Sequence, residues 1–155
     1  MKRLFFFFFL IPTLFFSCKS NSLYEDYRAI KASGWEQDSV AVFKFDVEKN
    51  YLNYSLSINV RNRGDYQFSN LWLFVDITSP GNVTVSDTIE YQLSYPDGRW
   101  TGKGTGGIFS NQFLFRDNVF FPIPGSYTVS IRHAMRPNPL VGISDIGICV
   151  KRKQP

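Results

Sequence analysis

The sequence has few of the residue types from which active sites and metal centres are usually built. Its 155 residues include two cysteines and one histidine, and these three residues show no metal-ligand spacing. The thirteen acidic residues are scattered, and Glu25 and Asp26 are the only adjacent pair. No arrangement of nucleophile, base and acid is recognisable. We therefore expect a protein that is not an enzyme and that holds neither a metal nor a cofactor.

The sequence also has no large excess of charge of either sign. Seventeen basic and thirteen acidic residues give a net charge of +4. The basic residues form no stripe interleaved with aromatic side chains, so nucleic acid is not expected as a partner. The basic tail at residues 151–153 is interpreted as a solvated terminus.

Long apolar runs are absent apart from one at the start of the chain. Leu4 to Phe16 is apolar for thirteen residues, includes Pro12 and follows a positively charged pair. Such a run is short for a membrane span, which needs about 20 residues. With the small Ser17 before Cys18, the pattern predicts a lipoprotein signal over residues 1–17 and a lipid on the Cys18 thiol. The alternative is a plain signal peptide or a membrane anchor in which Cys18 is incidental.

The segment after the signal has weak periodicity. We interpret residues 18–34 as a lipidated tether, in which Leu23 to Ala32 could form a helical turn or two before Gly34. If Cys18 carries lipid, Cys149 has no partner for an intrachain disulfide. Its strand-like surroundings then predict a buried free thiol.

From Trp35 onward, short runs alternate between apolar and polar residues and are separated by turn signals. Seven or eight such runs are present, and no long amphipathic helix is indicated. This predicts an all-β domain over residues 35–155, an antiparallel β-sandwich of immunoglobulin-like or jelly-roll-like type. Within it we expect Trp35 and Trp72 in the core, and His133 on an inward face with one hydrogen-bond partner.

A glycine-rich segment, Asp97 to Gly107, interrupts the alternation. It has five glycines in eleven residues, but neither the frame of a phosphate-binding loop nor a following helix. The interpretation that leads to a function is a partner-binding loop in which arginine and tryptophan form an interface hot spot. Its candidate residues are Asp97, Arg99, Trp100 and Lys103. The alternative is a structural turn in which Trp100 caps the core.

Four stretches of the chain resemble a known protein family. The two that are most specific to that family are YPDGRWTGKG at 95–104 and AMRPNPLVGISDIG at 134–147. The other two are Tyr66 to Val75 and Phe121 to Tyr127. With these stretches and the lipoprotein signal, the chain resembles the gliding-motility-associated lipoprotein family GldH of the Bacteroidota. The resemblance implies a non-enzymatic envelope lipoprotein, with a protein partner in the gliding machinery or its associated secretion apparatus.

Two further expectations concern location and modification. Lys19 follows Cys18, and residues 19–22 hold no acidic cluster. Both features favour anchoring in the outer membrane, facing the periplasm. The tripeptides Asp38-Ser39-Val40 and Asp87-Thr88-Ile89 make Ser39 and Thr88 candidate O-glycosylation sites in an exported protein of this phylum.

A carbohydrate-binding lipoprotein of a glycan-capture system is the alternative function. An exposed row of tryptophan and tyrosine on one sheet would favour it. An exposed patch at the loop end around Trp100 would favour a protein partner.

Overall fold

The computed structural model describes residues 22–48 and 53–153 as nine β-strands joined by loops, without a helix. The strands are β1 (Ser22–Ala29), β2 (Ala41–Val47), β3 (Asn53–Arg63), β4 (Asn70–Thr78), β5 (Thr84–Gln92), β6 (Lys103–Thr105), β7 (Ile108–Phe120), β8 (Gly125–His133) and β9 (Ile143–Arg152). None of these residues therefore forms a helix long and apolar enough to cross a membrane.

The nine strands form two antiparallel sheets. The five-stranded sheet has the order β1-β9-β3-β7-β6, and the four-stranded sheet has the order β2-β8-β4-β5. The predicted antiparallel sandwich is confirmed. The structure has more strands than the seven or eight expected, because β1 and the three-residue β6 come from segments that lack clear alternation.

Strand β1 corrects one expectation. The helical turn considered over Leu23 to Ala32 is wrong, since residues 22–29 pair with β9 along the edge of the five-stranded sheet. The ring of Tyr24 lies 5.8 Å from that of Phe45 in the opposite sheet. A segment this short cannot hold an isolated helix, and the sheet edge supplies its backbone hydrogen bonds. A strand of the sandwich therefore lies within the segment assigned to the tether.

The core lies between the two sheets and is built from their inward-facing residues. Alternation in β3 is typical, with Tyr54, Leu56, Ile58 and Val60 almost fully buried. Trp35 is 1% exposed, as predicted. Trp72 was expected in the core, but it is 36% exposed. The prediction failed because β4 places Trp72 on the outer face of the four-stranded sheet, where alternation points it away from its buried neighbours.

The loops gather at two opposite ends of the sandwich, which we call the proximal and distal ends. At the proximal end β1 starts and β9 finishes, and here Ser22 pairs with Lys151 and Asn53 with Phe120. At the distal end lie the segments 30–40, 64–69, 93–107 and 134–142. The chain therefore enters the domain at one end and presents the glycine-rich segment at the other.

Candidate functional site

The glycine-rich segment folds into two tight turns rather than one long loop. In the first turn the amide of Tyr95 donates to the carbonyl of Arg99 at 2.8 Å, and Ser94 forms a β-bridge with Trp100. In the second, β6 pairs with the start of β7 as a hairpin. The backbone of the segment is thus hydrogen-bonded into the five-stranded sheet and the distal loops.

Two local requirements account for glycines in this segment. Gly106 and Gly107 have φ values of 69° and 83° and form the two-residue connection of the hairpin, a conformation that side chains disfavour. At Gly104 a Cβ would collide with the backbone carbonyl of Ile108. These glycines meet steric needs inside the fold, so the glycine content by itself does not indicate a binding surface.

Trp100 packs against the core from the distal end. It is half-buried, and its ring centroid lies 5.6 Å from that of Phe109 and 6.4 Å from that of Tyr66. The Tyr66 hydroxyl donates to the carbonyl of Asn70 at 2.8 Å, and burial raises the pKa of this tyrosine. This geometry supports the capping alternative for Trp100.

The other three candidates, Asp97, Arg99 and Lys103, are exposed, and with the exposed Tyr95 they define what we call the distal ridge. The Arg99 side chain is 78% exposed, and its Nε donates to Oδ2 of Asp97 at 2.7 Å. Its guanidinium lies 5.5 Å from the centre of the Tyr95 ring, which is 49% exposed. The hydrogen bonds from Arg99 hold the pKa of the Asp97 carboxyl below its ordinary value. The ridge therefore presents a positioned arginine and an accessible tyrosine together.

Sequence reasoning missed Tyr95. It follows Ile89, Tyr91 and Leu93 at alternating positions, and the pattern therefore indicated an inward-facing residue. Strand β5 ends at Gln92, and the turn that follows rotates Tyr95 into solvent. The Pro96-Asp97-Gly98 turn signal beside it was the available indication that alternation stops here.

A groove of about 400 Å³ also lies at the distal end. It separates the start of β4 from the chain that follows β8, and Trp72, Met135 and Arg136 lie on its walls. The Met135 thioether accepts a hydrogen bond from the Trp72 amide at 3.4 Å. The sequence gave no indication of this groove, because its walls meet only through the pairing of β4 with β8.

His133 is fully buried on the inward face of β8, as predicted. Its ring packs edge-on against Trp35 at 5.5 Å between centroids. Within the described part of the chain no contact to either ring nitrogen has full hydrogen-bond geometry, although the backbone groups of Trp35 and Met135 act on the ring. Desolvation lowers the pKa of His133, and the nearby backbone of Trp35 and Met135 offsets this only in part. Burial therefore favours the neutral form of the ring.

Cys149 is a buried free thiol, as predicted. Burial raises its pKa, so the unreactive thiol form is favoured. Its Sγ lies 3.7 Å from the hydroxyl oxygen of Ser22 at the proximal end. The arrangement is that of a packed structural cysteine.

The other predicted sites are not brought together. Cys18 lies outside the described residues. Ser39 is exposed in the distal loop before β2, and its carbonyl accepts a hydrogen bond from Nε1 of Trp35 at 2.7 Å. Thr88 is exposed on β5. Glycosylation of these two residues stays a prediction.

Among residues 22–48 and 53–153, no three His, Cys, Asp or Glu side chains lie so as to hold a metal ion.

Comparison with known proteins identifies the family. The family model described as GldH lipoprotein matches residues 22–150, which include all nine strands except the last residues of β9. The chain belongs to the GldH lipoprotein family. It is 37% identical over 146 residues to a gliding motility lipoprotein GldH homolog of Christiangramia forsetii, covering 90% of this chain and 89% of the relative.

A second relative in the GldH family is the gliding motility lipoprotein GldH of Flavobacterium johnsoniae. It is 34% identical over 151 residues, and the match covers 93% of each chain. Among solved structures, a carbohydrate-binding module specific for non-crystalline cellulose has a TM-score of 0.45 and 7% identity. That match covers 84% of this chain and 75% of the module, and similarity at this level does not determine function. The protein is thus a lipid-anchored cell-envelope lipoprotein related to gliding-motility proteins.

Proposed function

We propose that this GldH-family lipoprotein is anchored through Cys18 and acts as a non-enzymatic interaction component of the gliding machinery or its associated secretion apparatus. The distal ridge is its contact with a protein partner. The observation that carries this proposal is the exposure of Arg99 and Tyr95 side by side on a turn fixed by backbone hydrogen bonds. Arginine and tyrosine are enriched in interface hot spots.

The position of the ridge supports this role. The chain enters the sandwich at Ser22, at the proximal end, while Arg99 lies at the distal end. The thirteen residues of β7 connect these ends, and a strand of this length spans roughly 40 Å. An anchor at Cys18 would place the distal ridge away from the membrane, where a partner in the periplasm can reach it.

The proposal also states which membrane holds the lipid anchor and which way the domain faces. Lys19 and the lack of an acidic cluster in residues 19–22 support the outer membrane, with the domain facing the periplasm. Cys18→Ser should remove incorporation of a clickable fatty acid, because the thiol that accepts the lipid is lost. Equal labelling of the variant and the native protein would contradict lipidation at Cys18.

The ridge is tested in the native organism with Arg99→Ala and Lys103→Ala. Both side chains are exposed, so protein abundance in the envelope should stay normal while gliding or cargo secretion falls. Lys44→Ala is the matched control, because Lys44 is an exposed cation on β2 and outside the ridge. Normal gliding and normal secretion in both ridge variants would overturn the ridge as the partner contact.

Trp100 needs a separate interpretation. It packs against Tyr66 and Phe109, so Trp100→Ala should lower abundance as well as function. A loss of function that follows abundance in this variant reports the fold and not the interface. For this reason the variants at Arg99 and Lys103, and not the one at Trp100, test whether the ridge contacts a partner.

The outer face of the four-stranded sheet is poorly suited to a carbohydrate, which supports a protein partner. In the described part of the chain, the outer face of the four-stranded sheet carries one tryptophan, Trp72, and no tyrosine, since Tyr91 and Tyr127 face inward. The neighbouring Phe74 ring is covered by the guanidinium of Arg132 at 5.1 Å. This is not the row of exposed rings expected for stacking on a glycan.

A further inference from the structure

An apolar cleft of about 420 Å³ opens at the proximal end of the sandwich. It lies between the β4–β5 hairpin and the end of β7, and its floor is formed by inward residues of the core. The side chains that define it include Ile77, Val83, Val85, Val119, Phe120 and Ile123. Neither the family nor the distal ridge accounts for this cleft.

The rim of the cleft is exposed to an unusual degree for apolar side chains. Val83 is 65% exposed, Val85 59%, Phe120 55% and Ile123 45%. These four residues come from three separate segments and form one patch around the cleft. A contiguous apolar patch on a folded domain marks a contact with another apolar surface, a protein or a membrane.

The point where the chain enters the domain indicates which surface this is. Ser22, the first residue of β1, lies at the same end as Phe120, because both belong to the proximal edge of the five-stranded sheet. Only three residues separate Ser22 from Cys18. Four residue steps span at most about 14 Å when fully extended. A lipid on Cys18 therefore keeps the proximal end within a short distance of the bilayer.

Charge at this end is consistent with a lipid surface. Lys151 and Arg152 finish β9 beside Ser22 and are exposed. Arg116 lines the cleft and forms an ion pair with Asp87. Among the acidic residues at this end, Asp117 on β7 is paired with Lys153. Asp46 and Glu48 lie at the end of β2, which is the edge strand farthest from β5 in the four-stranded sheet. Exposed cations at the same end of the sandwich as an apolar rim fit anionic phospholipid headgroups above an acyl layer.

We propose that the proximal rim inserts into the headgroup region of the membrane that carries the anchor, so that the domain rests on the bilayer and does not swing freely on its tether. This inference rests on the proposed lipidation at Cys18. It assigns the bilayer as the occupant of the cleft and makes the rim a second attachment. The lipid anchor holds the chain at the membrane, and a second apolar contact at the rim would fix how the domain is oriented on the bilayer.

The experiment uses the mature lipidated protein in vesicles of phosphatidylethanolamine and phosphatidylglycerol. Ile123→Cys receives an environment-sensitive fluorophore at the rim, and some of the phospholipids carry a nitroxide quencher on the acyl chain. Val141→Cys is the matched control, because Val141 is 42% exposed in a distal loop. The native protein, labelled in parallel, reports any reaction at the buried Cys149.

A blue-shifted emission at position 123 that is quenched at least threefold more than at position 141 is the expected result. Equal quenching at the two positions, in protein that floats with the vesicles, would overturn rim insertion and leave the lipid anchor intact. Protein that fails to float at all would overturn the lipidation at Cys18 together with the inference. The two failures are therefore distinguishable.

Two other occupants give different results. If the protein's own acyl chain fills the cleft, the label is blue-shifted but insensitive to the quencher in the bilayer. If a protein covers the rim, the label is protected only when envelope proteins are present. Either result overturns the proposal. A Val83→Ser/Phe120→Ser variant with the same label should float normally and lose most of the quenching, while its melting temperature shows that the fold is retained.

Discussion

Both ends of the sandwich pack aromatic rings, but they differ in what surrounds those rings. At the distal end the loops are joined by backbone hydrogen bonds, including a reciprocal pair between Trp35 and Leu140, both at 2.8 Å. At the proximal end the side chains of Phe45, Phe121 and Tyr127 pack in a cluster of rings with centroids 4.6–6.0 Å apart. The hydrogen bonds at the distal end fix the positions of its loops. The rings at the proximal end lie beside an open apolar cleft. Under the two proposals, the distal end contacts a specific partner and the proximal end contacts a fluid surface.

Among single substitutions that test this difference between the two ends, the one at Trp35 should have the largest effect on stability. Trp35→Ala should lower the free energy of unfolding by about 3–5 kcal/mol, since it empties a fully buried site and removes the ring next to His133. Trp72→Ala is the control, a tryptophan at the same end that is 36% exposed, and should cost about 1 kcal/mol. Chemical denaturation of both variants measures the difference, and equal losses would mean that the distal loops do not depend on Trp35.

A smaller effect concerns acid stability and His133. Its pKa lies below the ordinary value of 6.5, so below about pH 6.5 the unfolded chain binds a proton that the folded protein does not. Stability should therefore fall as the pH drops from 6.5 toward the pKa of the folded state, by at most about 1.4 kcal/mol per pH unit. Glu36 opposes the shift only weakly.

His133→Leu should remove this pH-dependent loss of stability, because leucine fills a similar volume and does not titrate. Urea denaturation at a series of pH values between 7.5 and 5 measures the slope in both proteins. Since this is the only histidine in the sequence, an unchanged slope would show that another group controls stability in this range.

The smallest effect is on reactivity and not on stability. Cys149, near the proximal end, should stay unreactive toward a thiol reagent in the folded protein and react on unfolding, because it is buried and its pKa is raised. A cysteine introduced at Val141, at the distal end, should react at once. Comparable rates at the two positions would show that the proximal end opens far more readily than its packing indicates.

The sequence predicted the β-sandwich and much of its core correctly. A strand that buries one face alternates apolar and polar residues, and this alternation is visible in the sequence. The inward residues of β3, from Tyr54 to Val60, follow this pattern and are buried as expected. Trp72 was misplaced because β4 is apolar on both faces, and alternation cannot tell a covered outer face from an open one. Strand β1 was missed because its pairing partner, β9, lies more than a hundred residues away in the chain.

The candidate site was predicted in part. The segment and its charged residues were found, since turn signals and glycine spacing are visible in the sequence. Tyr95 was missed because β5 ends at Gln92 and the chain then enters a turn, so the alternation does not continue to Tyr95. The proximal cleft could not be foreseen either, since its rim joins the β4–β5 hairpin to β7 across two sheets. Contacts between sheets leave no local pattern.

The direction of β1 has a mechanical consequence. Under the proposed function, force between the membrane anchor and a partner at the distal ridge would enter the fold at Ser22 and act along the axis of β1. The hydrogen bonds that join β1 to β9 run perpendicular to the strands, so this force shears all seven residue pairs at once. A tether attached at Ala29 would instead peel the pairs apart one after another. If the proposed anchor and partner are correct, the chain is therefore loaded in shear, a geometry that resists mechanical extraction better than peeling does.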